Sequence, residues 1–172
     1  MRSMRRIVLP ITISALWLVA AAAIAAQPKV DPLSVANLWQ PGDPGERLYI
    51  RGRVVSTDGT PLQGATVNIR QADGTGQYQA ERYRGAVRTA DDGSYQLNTV
   101  LPGQESGTRH IHLTVTHEFH AQVTTEILFK ADPLLDPTAE RDAAIPLETA
   151  QAQGAPILFG NFEVVMQPMG GN

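Results

Sequence analysis

His110 and His112 stand one residue apart inside a segment, Arg109 to Thr116, that alternates apolar and polar residues. On a strand, side chains two apart share a face and sit about 6.5 Å from each other. Both imidazoles can therefore reach one metal ion while Ile111 turns into a core. Imidazole nitrogens suit iron, copper, zinc and nickel. Without a metal, two neighbouring buried histidines need several hydrogen-bond partners. Tyr78 lies in a Gly-containing loop, free to bring in a phenolate, a hard anionic oxygen that favours ferric iron. The chain has no cysteine, so sulfur-ligated zinc and iron–sulfur clusters are excluded, and any metal is held by nitrogen and oxygen. His117 and His120 fall in a hairpin loop, where surface exposure is the ordinary role. All four histidines lie between positions 110 and 120, which leaves a looser copper or zinc site as an alternative. Tyr95 shares a strand face with Leu97 and Thr99 and belongs to the core.

Short strands must position these groups. Of 172 residues, 15 are Gly and 12 are Pro, a mixture that favours strands and tight turns over long helices. Alternation places strands over 47–55, 65–70, 86–89, 94–100, 109–116, 122–130 and 161–166, with turns at Asp58-Gly59 and Asp92-Gly93. Residues 138–152 are the one stretch that reads as a helical turn. Seven or so short strands at this spacing predict a single all-β domain, an antiparallel β-sandwich, over 47–168. A Pro-rich irregular segment, 27–46, precedes it.

At the start of the chain, Arg2, Arg5 and Arg6 lead an apolar run from Ile7 to Ala26 that ends in small residues. This pattern predicts a signal peptide over 1–26, hence a periplasmic or secreted protein with no stable membrane insertion after cleavage. The Arg5-Arg6 pair loosely resembles a twin-arginine signal, so either export route fits. Without cysteine there is neither a disulfide nor a lipid-modified cysteine anchor. With 14 basic and 17 acidic residues the formal charge is -3, which offers no basic surface for nucleic acid.

Three segments carry a more specific resemblance. Ile69-Arg70-Gln71-Ala72-Asp73 followed by Gly76-Gln77-Tyr78, then His110-Ile111-His112, then the strand ending Phe129-Lys130-Ala131-Asp132-Pro133 occur in the order and spacing of the intradiol ring-cleavage dioxygenases. The chain resembles that family from about Gly52 to Met166, with Arg70 where the family has Trp. The resemblance implies a β-sandwich of the intradiol dioxygenase and transthyretin-like kind. It also implies a mononuclear non-haem Fe(III) site held by two tyrosinates and two histidines. Tyr78, His110 and His112 match three of these ligands.

The second tyrosine is not matched. Pro102-Gly103-Gln104-Glu105 puts Glu105 at or beside its place, as a hard oxygen ligand and a weaker base; Tyr83 is the other residue within reach of the fourth position. The resemblance gives Tyr78 and Glu105 roles in catalysis and sets an arginine over the bound substrate. Arg109 is the nearest match for that arginine, although pleat alternation turns it off the ligand face. The implied activity is cleavage of a small catechol-type aromatic diol by O2, between the two hydroxylated carbons, to a muconate-type diacid. Two rival readings keep the fold: a catalytically silent binding module, and a periplasmic Cu/Zn-binding sandwich.

Overall fold

The computed structural model describes residues 34–104, 107–130, 132–136, 138, 143–152 and 154–170. The predicted signal peptide and Glu105 lie outside them.

Among the described residues, ten strands make two five-stranded sheets. They are β1 (Val35–Asn37), β2 (Arg47–Ser56), β3 (Thr66–Gln71), β4 (Arg84–Arg88), β5 (Ser94–Val100), β6 (His110–His117), β7 (His120–Phe129), β8 (Ala144–Ile145), β9 (Glu148–Ala152) and β10 (Ala155–Met166). One sheet runs β1-β5-β2-β10-β9 and the other β4-β3-β6-β7-β8. β3, β6 and the first part of β2 bury alternate residues, as a half-solvated sheet requires. Leu48, Ile50, Leu97 and Met166 from the first sheet meet Ile111, Leu113 and Ile127 from the second in a core from which water is excluded. Gly52 is part of this packing. It pairs with Tyr95 across β2 and β5, and a Cβ on it would lie 1.9 Å from the Tyr95 ring.

The all-β sandwich in one domain is as expected, with each predicted strand present. The sheets, however, are mixed and not purely antiparallel. β10 runs parallel to β2 over nine pairs, from Leu158↔Leu48 to Met166↔Ser56. β1 pairs parallel with β5, and β8 with β7. Of the stretch 138–152, expected to be a helical turn, Thr138 is helical, whereas Ala144–Ile145 and Glu148–Ala152 are strands. Glu148–Ala152 pairs antiparallel with the start of β10, and Gly154 in the connecting turn has φ +79°, a conformation glycine adopts at no steric cost. Cross-strand pairing here overrides the helix-friendly Glu, Ala and Gln composition. β1 is a third element the sequence pattern did not reveal, within the segment expected to be irregular.

Candidate metal centre

β6 presents its residues as the alternation requires: Ile111, Leu113 and Val115 are fully buried, while His110, His112 and Thr114 look out of the other face. Across that outer face the register lines up one row of side chains. Arg84 stands opposite Arg70, Arg70 opposite His112, and His112 opposite Glu126. Cross-strand neighbours on one face lie close enough to interact directly.

The two imidazoles converge. His110 Nε2 and His112 Nε2 are 3.0 Å apart, and Tyr78 Oη is 3.1 Å from His110 Nε2. The opposite ring nitrogens are both occupied. His110 Nδ1–H donates to the Thr108 carbonyl at 2.8 Å, and His112 Nδ1–H donates to Glu126 Oε1 at 3.1 Å. A neutral imidazole has one N–H and one lone pair. In the tautomers with both Nδ1–H groups on oxygen acceptors, the two Nε2 lone pairs face the same region, beside the Tyr78 hydroxyl. A histidine whose far nitrogen donates to a carbonyl or carboxylate is the usual form of a metal-ligating histidine. Burial lowers the pKa of His112, neighbouring His110 lowers it further, and Glu126 only partly compensates. His112 is therefore held in the neutral form that binds metal. His110, His112 and Glu126 have ligand atoms within 4.8 Å of one another, but the Glu126 carboxylate is engaged with Nδ1, on the far side of the ring from Nε2.

Tyr78 is brought here by a loop that Asp73 organises. The Asp73 carboxylate accepts from Thr75 N at 2.9 Å, Thr75 Oγ1 at 2.7 Å, Gln77 N at 3.0 Å and Gln79 Nε2 at 2.7 Å. Burial works against its ionised form, yet the bonds from Thr75, Gln79 and Gln77 together hold its pKa below the ordinary carboxylate value. At the loop's root, buried Gln71 donates to Val100 O and Ala72 O and accepts from Thr99 Oγ1, tying β3 to β5. The Pro102-Gly103 corner packs on the same loop: Gly103 N–H donates to Asp73 O at 2.8 Å, and a Cβ on Gly103 would stand 2.3 Å from Gly76 N. Tyr78 itself is 40% exposed, with the Arg70 guanidinium 5.0 Å from its ring centre. A cleft of about 600 Å³ opens next to His112, bordered by Arg70, Arg84, Thr114 and Thr124.

The family model Dioxygenase_C, described as Dioxygenase, matches residues 25–151. The chain belongs to the intradiol ring-cleavage dioxygenase family. Chlorocatechol 1,2-dioxygenase of Rhodococcus opacus is 24% identical over 73% of this dioxygenase-family chain and 61% of its own length. Catechol 1,2-dioxygenase 2 of Acinetobacter lwoffii is 32% identical over 64% of this chain and 51% of its own. The protocatechuate 3,4-dioxygenase beta chain of Burkholderia cepacia is 29% identical over 76% and 69%. The chain thus spans about half to two-thirds of the length of these curated relatives. Among solved structures, the dioxygenase domain of a dioxygenase carbohydrate-binding protein fusion from Streptomyces sp. SirexAA-E superposes with a TM-score of 0.64 at 29% identity, covering 83% of this chain and 95% of that one. Catechol 1,2-dioxygenase from Pseudomonas arvilla C-1 shares the fold, with a TM-score of 0.71 at 23% identity over 78% of this chain and 56% of that one.

Of the residues singled out in the sequence of this dioxygenase-family chain, Tyr78, His110 and His112 come together, and Glu105 lies outside the described residues. Arg109 donates its amide to Asp132 Oδ2 at 2.6 Å, and its Nε is buried without a hydrogen-bond partner among the described residues. Tyr83 is 2% exposed and packs under Arg82, whose guanidinium is 4.8 Å from its ring centre; Asp43 and Asp73 are its charged neighbours, not the histidines. Tyr95 is buried as expected. His117 and His120 form a pair of their own at the far end of the β6–β7 hairpin, with Nδ1 atoms 3.0 Å apart. Sequence reasoning missed Arg70 as a neighbour of the cluster and Glu126 as the partner of His112. The available signal was the strand register: both residues stand directly opposite His112.

Proposed function

We propose that the chain is an exported intradiol-type ring-cleavage dioxygenase that holds one non-haem ferric iron and cleaves small aromatic 1,2-diols with O2. The observation that carries this reading is the convergence of the two Nε2 atoms, 3.0 Å apart, with the Tyr78 hydroxyl 3.1 Å from one of them. Two nitrogens and a phenolate oxygen suit ferric iron better than the all-nitrogen or nitrogen–sulfur sets that copper and zinc favour. His110, His112 and Tyr78 would hold the iron, and Glu105, which lies outside the described residues, is the sequence's candidate for a fourth ligand. When bound, ferric iron supplies the Lewis acidity that polarises the diol and the electron-accepting capacity its reaction with O2 needs.

The chain's own residues do the rest. Thr108 O and Glu126 fix the ring orientations of His110 and His112 before any metal arrives, which lowers the cost of ordering the site. Tyr78, half in solvent, can give up its proton to water on binding metal. A carboxylate at Glu105 accepts a proton from the incoming diol. The Arg70 guanidinium beside the Tyr78 ring favours anionic oxygen over neutral hydroxyl on this face. In the overall reaction both atoms of O2 enter the product, the carbon–carbon bond between the hydroxylated carbons breaks, and a diacid results.

The testing experiment is oxygen uptake by the iron-loaded protein with catechol, alongside ultraviolet detection of a muconate-type product. Stoichiometric uptake that is lost in His112→Ala supports the reading. Tight diol binding with no oxygen consumed would move the protein to the silent binding modules.

A further inference from the structure

The loop that carries Tyr78 runs from the end of β3 to the start of β4, and Gln71 N–H closes its base by donating to Tyr83 O at 3.0 Å. The Asp73 carboxylate organises the first half, out to Gln79. The second half is held from outside, by the connection between β1 and β2. Arg82 Nη2 donates to both oxygens of Asp43, at 2.7 and 3.0 Å, and the Asp43 side chain is only 4% exposed. Pro44 and Gly45 press on the other side of the loop. A Cβ on Gly74 would lie 2.1 Å from Pro44 O, and one on Gly45 would lie 2.9 Å from Gly74 Cα. The two grips flank Tyr78, four residues to either side.

The β1–β2 connection is itself a fixed mount. Leu38 and Trp39 both donate their amides to Asn98 O on β5, at 2.8 and 3.1 Å. Arg47, at the start of β2, lies 4.1 Å from the Trp39 ring centre and donates Nε to Asn98 Oδ1 at 2.9 Å. Gln40 N–H donates to Asp43 Oδ2 at 2.8 Å, so the carboxylate is oriented by its own turn as well as by Arg82. The Arg82–Asp43 pair therefore joins the first sheet to a loop of the second. Tyr83 shows what this imposes on the loop. Its φ of +54° is a region that bulky residues enter only at a cost, and such a position persists where its surroundings over-determine it. Here the ring is buried beneath the Arg82 guanidinium.

We propose that Asp43 is a positioning residue for the metal centre. Through Arg82 it fixes the second half of the Tyr78 loop to the first sheet, and so sets where the Tyr78 hydroxyl stands relative to His110. The consequence for metal binding rests on the dioxygenase reading; the placement of the phenol does not.

The test is a double-mutant cycle on the full-length chain. Co(II) affinity is read by competition with a chromophoric chelator, and the metal-free chain is followed by NMR of ring-labelled tyrosine, with Tyr78→Phe assigning the Tyr78 signals. Asp43→Ala should weaken Co(II) binding about fivefold, within the range that coupled residues show, and should shift or broaden the Tyr78 ring signals. In a Tyr78→Phe background the same substitution should change Co(II) affinity by less than about twofold. A residue that only stabilised the fold would weaken binding equally in both backgrounds. Circular dichroism checks that Asp43→Ala folds. Asp43→Asn keeps the side-chain volume and an acceptor for Gln40 N–H, and should show the same coupling at reduced size. Where Tyr78→Phe itself weakens Co(II) binding, equal effects of the Asp43 variants in both backgrounds overturn the positioning role. Tyr78 signals unmoved by either Asp43 variant overturn it in any case. Signals that move while Tyr78→Phe leaves Co(II) affinity unchanged would sustain the placement of the phenol by Asp43 and sink the dioxygenase reading instead.

Discussion

Removing the carboxylate of Glu126 should weaken metal binding without touching a proposed ligand. Glu126 Oε1 accepts from His112 Nδ1 at 3.1 Å, with the two side chains 47% and 41% exposed. Its loss has two consequences. The His112 ring is freed to rotate or to exchange tautomers, so Nε2 carries the proton part of the time. The imidazole also loses the negative neighbour that raises its basicity. Outer carboxylates of this sort are worth about 10- to 100-fold in metal affinity. Solvent screening at this exposure puts Glu126 at the lower end, about tenfold or roughly 1.4 kcal/mol. The assay is competition for Co(II) between the protein and a chromophoric chelator, which reads affinity without depending on turnover. Glu126→Ala should bind about tenfold more weakly. Glu126→Gln, which keeps an oxygen acceptor but no charge, should fall between that variant and the unaltered protein. Co(II) binding by Glu126→Ala as tight as by the unaltered protein would refute the argument, because His112 would then be oriented by something other than this contact.

Three further outcomes follow from the same geometry. Asp73→Ala strips four hydrogen bonds from the loop that carries Tyr78; it should lower stability by about 1–3 kcal/mol in urea unfolding and shift the Tyr78 ring resonances. Because the folded pKa of Asp73 lies below its unfolded value, its contribution is complete above about pH 4 and is lost as pH falls through the folded pKa. Acid unfolding of the unaltered protein should show this loss, and Asp73→Asn should blunt it. Gly52→Ala forces a methyl group into the Tyr95 ring, where a Cβ would stand 1.9 Å away; overpacking of this kind costs about 1–3 kcal/mol, visible as a lower melting temperature, and Gly52→Ala with Tyr95→Leu should recover part of it.

The parts of the site that sit on one strand were legible from the chain alone. Alternation in β6 put His110 and His112 on one face and Ile111 on the other, as the structure has them. Tyr78 was legible as a loop residue preceding that strand. Its delivery to the histidines depends on Asp73 and on the Gly103 corner, contacts that no periodicity reports. Arg70 and Glu126 were invisible for a different reason. Each is an ordinary outward-facing polar residue on its own strand and gains a role only through pairing with His112. The edge strands were the hardest part of the fold to read. β9 is exposed at nearly every position, so its sequence carries neither strand nor helix periodicity, and pairing with β10 decides its shape. The parallel β10–β2 pairing joins elements about a hundred residues apart, beyond the reach of any local pattern.

The most direct test of the central claim is metal analysis with a visible absorption spectrum of the iron-loaded protein, before and after adding catechol, for the unaltered chain and Tyr78→Phe. The account predicts about one iron per chain and a broad visible band that shifts with catechol, with the catechol-free band lost in Tyr78→Phe. A protein that takes up no iron, or an iron-loaded protein whose colour does not depend on Tyr78, would contradict the assignment of Tyr78, His110 and His112 as the metal centre.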